Sequence, residues 1–219
     1  MTNSTEKLIE RLVADAAPVR RLRPPFVRAA LWLAAVAAAI SLAVYGFADT
    51  RIFLQRASDT KLAVELAATL ATGIAAAFAA FELSVPDRSS KWALLPLLPF
   101  AVWIGTSGYS CYRHWLVQGS AGWEIGESEH CFAFILAASL PLGASLLILL
   151  GRSMPLAPAA VAATGGLAVA GIAAFALQFF HPFDVTFMDL GVHMTAVTIV
   201  VLVATVTGNR ATPWRSHSI

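Results

Sequence analysis

Apolar residues arrive in six long runs free of charge: Ala29–Ala48, Leu66–Phe81, Trp92–Tyr112, Cys131–Gly151, Ser153–Phe180 and Leu190–Gly208. A helix rises about 1.5 Å per residue, so about 20 residues cross a hydrocarbon core of about 30 Å. Five of the runs reach or approach that length, and the second does so once Leu62, Ala63, Val64 and the borderline Glu65 are added. A soluble core can hide one such helix but not six. The pattern therefore predicts an all-α, polytopic membrane protein with six transmembrane helices. It divides the chain into a tail over 1–28, a membrane domain over 29–208 and a short C-terminal tail over 209–219.

Composition agrees. Hydrophobic residues make up 58% and charged residues 13%, against roughly 25% charged in a soluble domain. The net charge of +2 leaves no basic patch for nucleic acid, because the basic residues sit at the borders of the runs. The first run is too long for the core of a secretory signal peptide and follows a long polar segment, so an uncleaved first helix is expected. Orientation follows from Lys and Arg, which are enriched on the cytoplasmic side of bacterial membranes. Eleven of the 15 fall in the N-tail, the second and fourth loops and the C-tail, and four in the first and third loops. Both termini of this multi-pass protein are thus expected in the cytoplasm, with the third loop facing outward.

Small residues recur every four positions along the fifth run, at Ala162, Gly166, Ala170 and Ala174. Such a stripe lets helix backbones approach closely in lipid, and so predicts packed helices rather than a channel. Pro96, Pro99 and Pro141 predict local kinks. Glu65 and Glu82 are expected at the membrane interface.

In the tail, Leu8, Ile9, Leu12, Val13 and Ala16 share one face at helical spacing, with Glu6, Lys7, Glu10, Arg11 and Asp15 mostly elsewhere. Asn3 with Glu6 three residues later suggests a capping box, and Pro18 should end the helix. A helix this short is marginal alone in water, so it folds against a surface. That surface is either the bilayer, with Arg20, Arg21 and Arg23 as headgroup anchors, or a groove on a cytoplasmic protein.

The order Leu8-Ile9, Leu12, Asp15, Pro18-Val19-Arg20-Arg21-Leu22, Pro24-Pro25, Arg28 and Trp32, followed by six spans, resembles the NrsF family. The resemblance continues through Gly122-Trp123-Glu124 ahead of Cys131 and through His181-Pro182-Phe183-Asp184. These are bacterial inner-membrane anti-sigma factors that restrain an extracytoplasmic-function (ECF) sigma factor. The resemblance implies that Leu8, Ile9, Leu12, Val13, Asp15, Pro18, Arg20 and Arg21 bind the partner and that the spans receive a signal from outside. The loop Ser84–Lys91 is a further candidate surface.

Cys111 and Cys131, the only cysteines, flank the third loop beside His114, Glu127, Glu129 and His130. Three roles are open: a disulfide or redox pair in an oxidising compartment, a soft-metal site made with His114 and His130, or packing at helix ends. Asp189 and His193 are four apart and share a face of the sixth helix, as a polar sensor site or as a salt bridge joining helices. The reading that unites these features is an anti-sigma factor, switched by a redox or metal signal. It has a sigma factor and the bilayer as partners, no direct contact with nucleic acid, no cofactor and no catalysis, since no nucleophile–base pair, HExxH or phosphate-binding glycine loop is present. The alternative is a small transporter or metal-efflux protein, which would need a polar path across spans that are nearly free of ionisable groups.

Overall fold

The computed structural model describes residues 2–15, 22–48, 50–56, 59–119, 125–153, 155–180 and 187–211, with 2–4, 50, 52, 56, 114, 118, 125–131, 187–189 and 209–211 described by backbone only. The described residues form helices and no strand. A tail helix, α1 (Thr2–Ala14), precedes α2 (Pro25–Phe47), a short α3 (Thr50–Arg56), α4 (Thr60–Leu83), a 3-10 turn (Ser90–Leu94), α5 (Leu97–Gln118), α6 (Ile125–Gly151), α7 (Pro158–Leu177) and α8 (Phe187–Ala211). Six of these segments are long and apolar enough to cross a membrane, the third of them taking in the 3-10 turn and α5. The chain is all-α with six such helices, as the apolar runs predict.

Local chemistry sets the ends. Proline opens α2 and α7 at their first positions, where the missing N–H has no partner to lose. The Asp59 side chain caps α4 by accepting from the Lys61 N–H at 2.9 Å. Gly119 ends α5 with φ +65, a left-handed conformation that costs glycine nothing. Its N–H donates to Trp115 O at 2.8 Å.

The centre of the bundle is α7, packed against α4, α6 and α8. Its hydrophobicity is nearly uniform around the helix, and a helix apolar on every side belongs in an interior. The small stripe does what its spacing predicts. A Cβ on Gly166 would lie 2.9 Å from Val201 Cα of α8, and Ala170 and Ala174 pack with Val197 of the same helix. A second small face, which was not singled out in the sequence, meets α4: a Cβ on Gly171 would lie 3.1 Å from the backbone nitrogen of Gly73.

α2 lies at the edge. It buries Ala29, Trp32 and Val36, all in its first half. Farther along, it stands off from α4 and α7 around an apolar groove of about 560 Å³ lined by residues such as Ile40, Ile74 and Phe175. One expectation needs correcting. α1 begins at Thr2 and ends at Ala14, so Asn3 lies inside the helix rather than capping it, and the helix stops short of Pro18. Glu65 and Glu82 are both buried against the protein: Glu65 bonds Ser107 of α5, and Glu82, at the end of α4, faces the half-exposed Arg88.

Candidate partner-binding tail and its anchorage

α1 places Leu8, Ile9, Leu12 and Val13 on one exposed stripe; each is more than half accessible, Val13 at 70%. Four large apolar side chains on one helix face are costly to leave in water, which makes the stripe a candidate docking face. Asp15 follows in the turn, its N–H bonded to Arg11 O at 2.9 Å. Pro18, Arg20 and Arg21 lie outside the described residues, as do Ala16 and Val19.

The tail re-enters at Leu22–Pro24 and runs into α2. Here the fold gathers polar groups from α2, α4 and α6 at one end of the bundle. Arg28, in the first turn of α2, donates from Nη1 to Ser153 Oγ at 2.5 Å and from Nη2 to the Leu149 carbonyl. Its guanidinium lies over the Phe81 ring, 5.2 Å from the centroid. Ser84, which caps α4, bonds Ser153 Oγ at 3.2 Å and Phe81 O at 2.6 Å. One turn farther along α2, Trp32 Nε1 donates to Ser145 Oγ of α6 at 3.1 Å. Beside them, Arg88 Nε lies 3.2 Å from Glu82 Oε2, an ion pair lacking hydrogen-bond alignment. Phe26 stacks on Phe78 with centroids 5.3 Å apart, adding an apolar tie between α2 and α4.

The family model for NrsF, described as "Negative regulator of sigma F", matches residues 12–214. The chain belongs to the NrsF family. No curated protein matches it, and no solved structure does. The matched stretch opens at Leu12 inside the α1 stripe and takes in Arg28, Trp32 and all six long apolar helices. Membership carries the coarse function: these are negative regulators of a sigma factor, so a sigma factor is the partner and the role is regulatory. Among the described residues of the NrsF-like tail pattern, Arg28 and Trp32 are turned inward onto α6. Leu8, Ile9 and Leu12 are turned outward.

At the far end of the bundle, Cys111 is fully buried in α5. The side chains of His114, His130, Cys131 and Asp189 lie outside the described residues, and His193 is half-buried in α8. Among the described residues no three His, Cys, Asp or Glu side chains gather as metal ligands do. The structure also contains a site that sequence reasoning missed. Glu65 Oε1 accepts from Ser107 Oγ at 2.7 Å, joining α4 to α5 inside the membrane domain. A carboxyl immediately ahead of an apolar run reads as a border residue, and no sequence pattern ties it to Ser107 forty-two positions away.

Proposed function

We propose that this chain is an inner-membrane anti-sigma factor that holds an ECF sigma factor against its cytoplasmic face and releases it when an envelope signal, redox or soft metal, reaches the outer end of the bundle. The observation that carries the proposal is the exposed Leu8–Ile9–Leu12–Val13 stripe on α1, in a chain whose family restrains a sigma factor. A short amphipathic helix of this kind folds onto a groove in its partner and gains affinity from the apolar anchors. Asp15, Pro18, Arg20 and Arg21 follow the stripe and complete the binding segment, and Ser84–Lys91 stands at the same end of the bundle through the Ser84–Ser153 bond.

Reception of the signal falls to Cys111, Cys131, His114 and His130, with Asp189 and His193 as a polar pair on the sixth span. A thiol changes state with oxidant or soft metal. Cys111 lies near the end of α5 and Cys131 near the start of α6, the two helices that flank the third loop. Release then requires the signalled state to bind the sigma factor more weakly, and the coupling is reciprocal. The transporter alternative gains no support from the described centre of the bundle, where α7 packs alanine, glycine and valine against α4 and α8 instead of presenting a polar path.

The test is co-purification of the full chain from a detergent extract of its own cells. A sigma factor of the ECF class in the eluate is expected. Its consistent absence, with another cytoplasmic protein or none retained, contradicts the proposal.

A further inference from the structure

Between the end of α1 and the start of α2 lie ten residues, Asp15–Pro24, so whatever fixes the first turn of α2 fixes the root of the tail. Arg28 is in that turn. Its guanidinium donates to Leu149 O in the last turn of α6 and to Ser153 Oγ just beyond it. The last carbonyls of a helix have no intrahelical N–H, and they carry the negative end of the helix dipole. A guanidinium there serves as a C-terminal cap supplied by a different helix. Trp32 repeats the attachment one turn on, at Ser145, and Ser84 draws the end of α4 into the same cluster.

The acceptors are neutral. No carboxylate is paired with Arg28 among the described residues; the nearby Glu82 pairs with Arg88. Arg152 precedes Ser153 in the chain, and its like charge acts on Arg28. A hold made of hydrogen bonds to neutral oxygens depends steeply on distance and angle, unlike a salt bridge, which persists across a displacement. Beyond Val36 no residue of α2 is fully buried: Ile40 packs partly against the core, and an apolar groove opens between α2 and α4 and α7. At its other end α6 begins beside the third loop, so a shift there reaches Leu149 along one helix, by way of the proline at Pro141 inside it.

We infer that Arg28 is a positioning residue: with Trp32 it latches the root of the partner-binding tail to the end of α6, and a displacement of α6 opens the latch and moves the tail. The inference rests on the tail being the sigma-factor site. Ser153→Ala removes one acceptor, and Arg28→Ala removes the whole clasp. Ser153→Asp puts a carboxylate where the hydroxyl was and tightens it. Arg28→Lys keeps the charge but cannot span two acceptors as a planar fork does.

The experiment uses the full chain in micelles for hydrogen exchange across residues 24–33, and in cells for resting sigma-factor reporter output, with membrane levels checked by immunoblot. Ser153→Ala is expected to speed exchange over residues 28–33 by about tenfold, the loss of one charge-assisted hydrogen bond, and Arg28→Ala by more, since both bonds go. Both should raise resting output, Arg28→Lys less so, while Ser153→Asp slows exchange and lowers output below wild type. That opposite sign is what a purely structural role does not give. Leu8→Glu with Leu12→Glu serves as the control for the tail itself. Unchanged exchange in Ser153→Ala overturns the latch; if Arg28→Ala does not reach the membrane, Ser153→Ala and Ser153→Asp decide it alone. Faster exchange with wild-type output, while the tail control raises output, also overturns it. If the tail control is silent too, the tail reading falls, and the latch stands or falls on the exchange data.

Discussion

Glu65 of α4 and Ser107 of α5 are joined by a hydrogen bond of 2.7 Å, hydroxyl to carboxyl, with both side chains buried in the membrane domain. An ionisable group inside a span is expensive and turns toward the protein interior. Here the serine hydroxyl is the partner that makes its position tolerable. Ser107→Ala leaves the carboxyl without it and should destabilise the bundle by about 1–3 kcal/mol. Glu65→Gln keeps an acceptor for Ser107 and should cost less. Thermal unfolding in micelles checks both, and a wild-type melting curve for Ser107→Ala would remove the pair from the account.

The contact of α7 with α8 allows no side chain at position 166, where a Cβ would lie 2.9 Å from Val201 Cα and 3.1 Å from Ala204 Cβ. Gly105 has open space around it. Gly166→Val should therefore cost about 1–3 kcal/mol through overpacking, while Gly105→Val leaves the melting temperature nearly unchanged. Equal behaviour of the two variants would mean that α7 and α8 do not pack at this register.

Eleven of 15 basic residues fall on the side assigned to the cytoplasm. A fluorescent protein fused after Ile219 should fold and glow, and a periplasmic phosphatase fused at the same place, or at Ser89, should be inactive. Active phosphatase at either position reverses the orientation and with it the placing of the tail.

Cys111→Ser and Cys131→Ser should each leave the protein in the membrane and abolish its response to an oxidant or soft metal. Reporter output of the partner sigma factor, with and without stimulus, reads this. A full response in both variants assigns the cysteines to packing and moves the search to His181, Asp189 and His193.

The membrane helices are legible in the sequence because each is a local signal: a run of apolar residues long enough to cross lipid announces itself without reference to its neighbours. The α7 stripe is legible for the same reason, since Ala162, Gly166, Ala170 and Ala174 repeat at the helix period. What stays hidden is pairing between distant positions. Arg28 reads as one more basic residue at a membrane border, and only folding brings it to Ser153, 125 positions away. Glu65 likewise reads as a border residue until Ser107 arrives from the next helix. The capping box at Asn3 failed because the helix starts at Thr2, two residues earlier than that pattern requires. The stripe of Leu8, Ile9, Leu12 and Val13 was legible as amphipathic, but its exposure is a property of the folded chain.

The most direct test of the central claim is the affinity of the purified full chain for its co-purifying sigma factor, measured for wild type and for Leu8→Glu with Leu12→Glu. The two glutamates place charge on the stripe and leave the membrane helices untouched. Loss of two buried apolar anchors should weaken binding by about 100-fold or more, with unchanged membrane insertion and unchanged melting of the bundle. Wild-type affinity in the double variant would show that the sigma factor is held elsewhere.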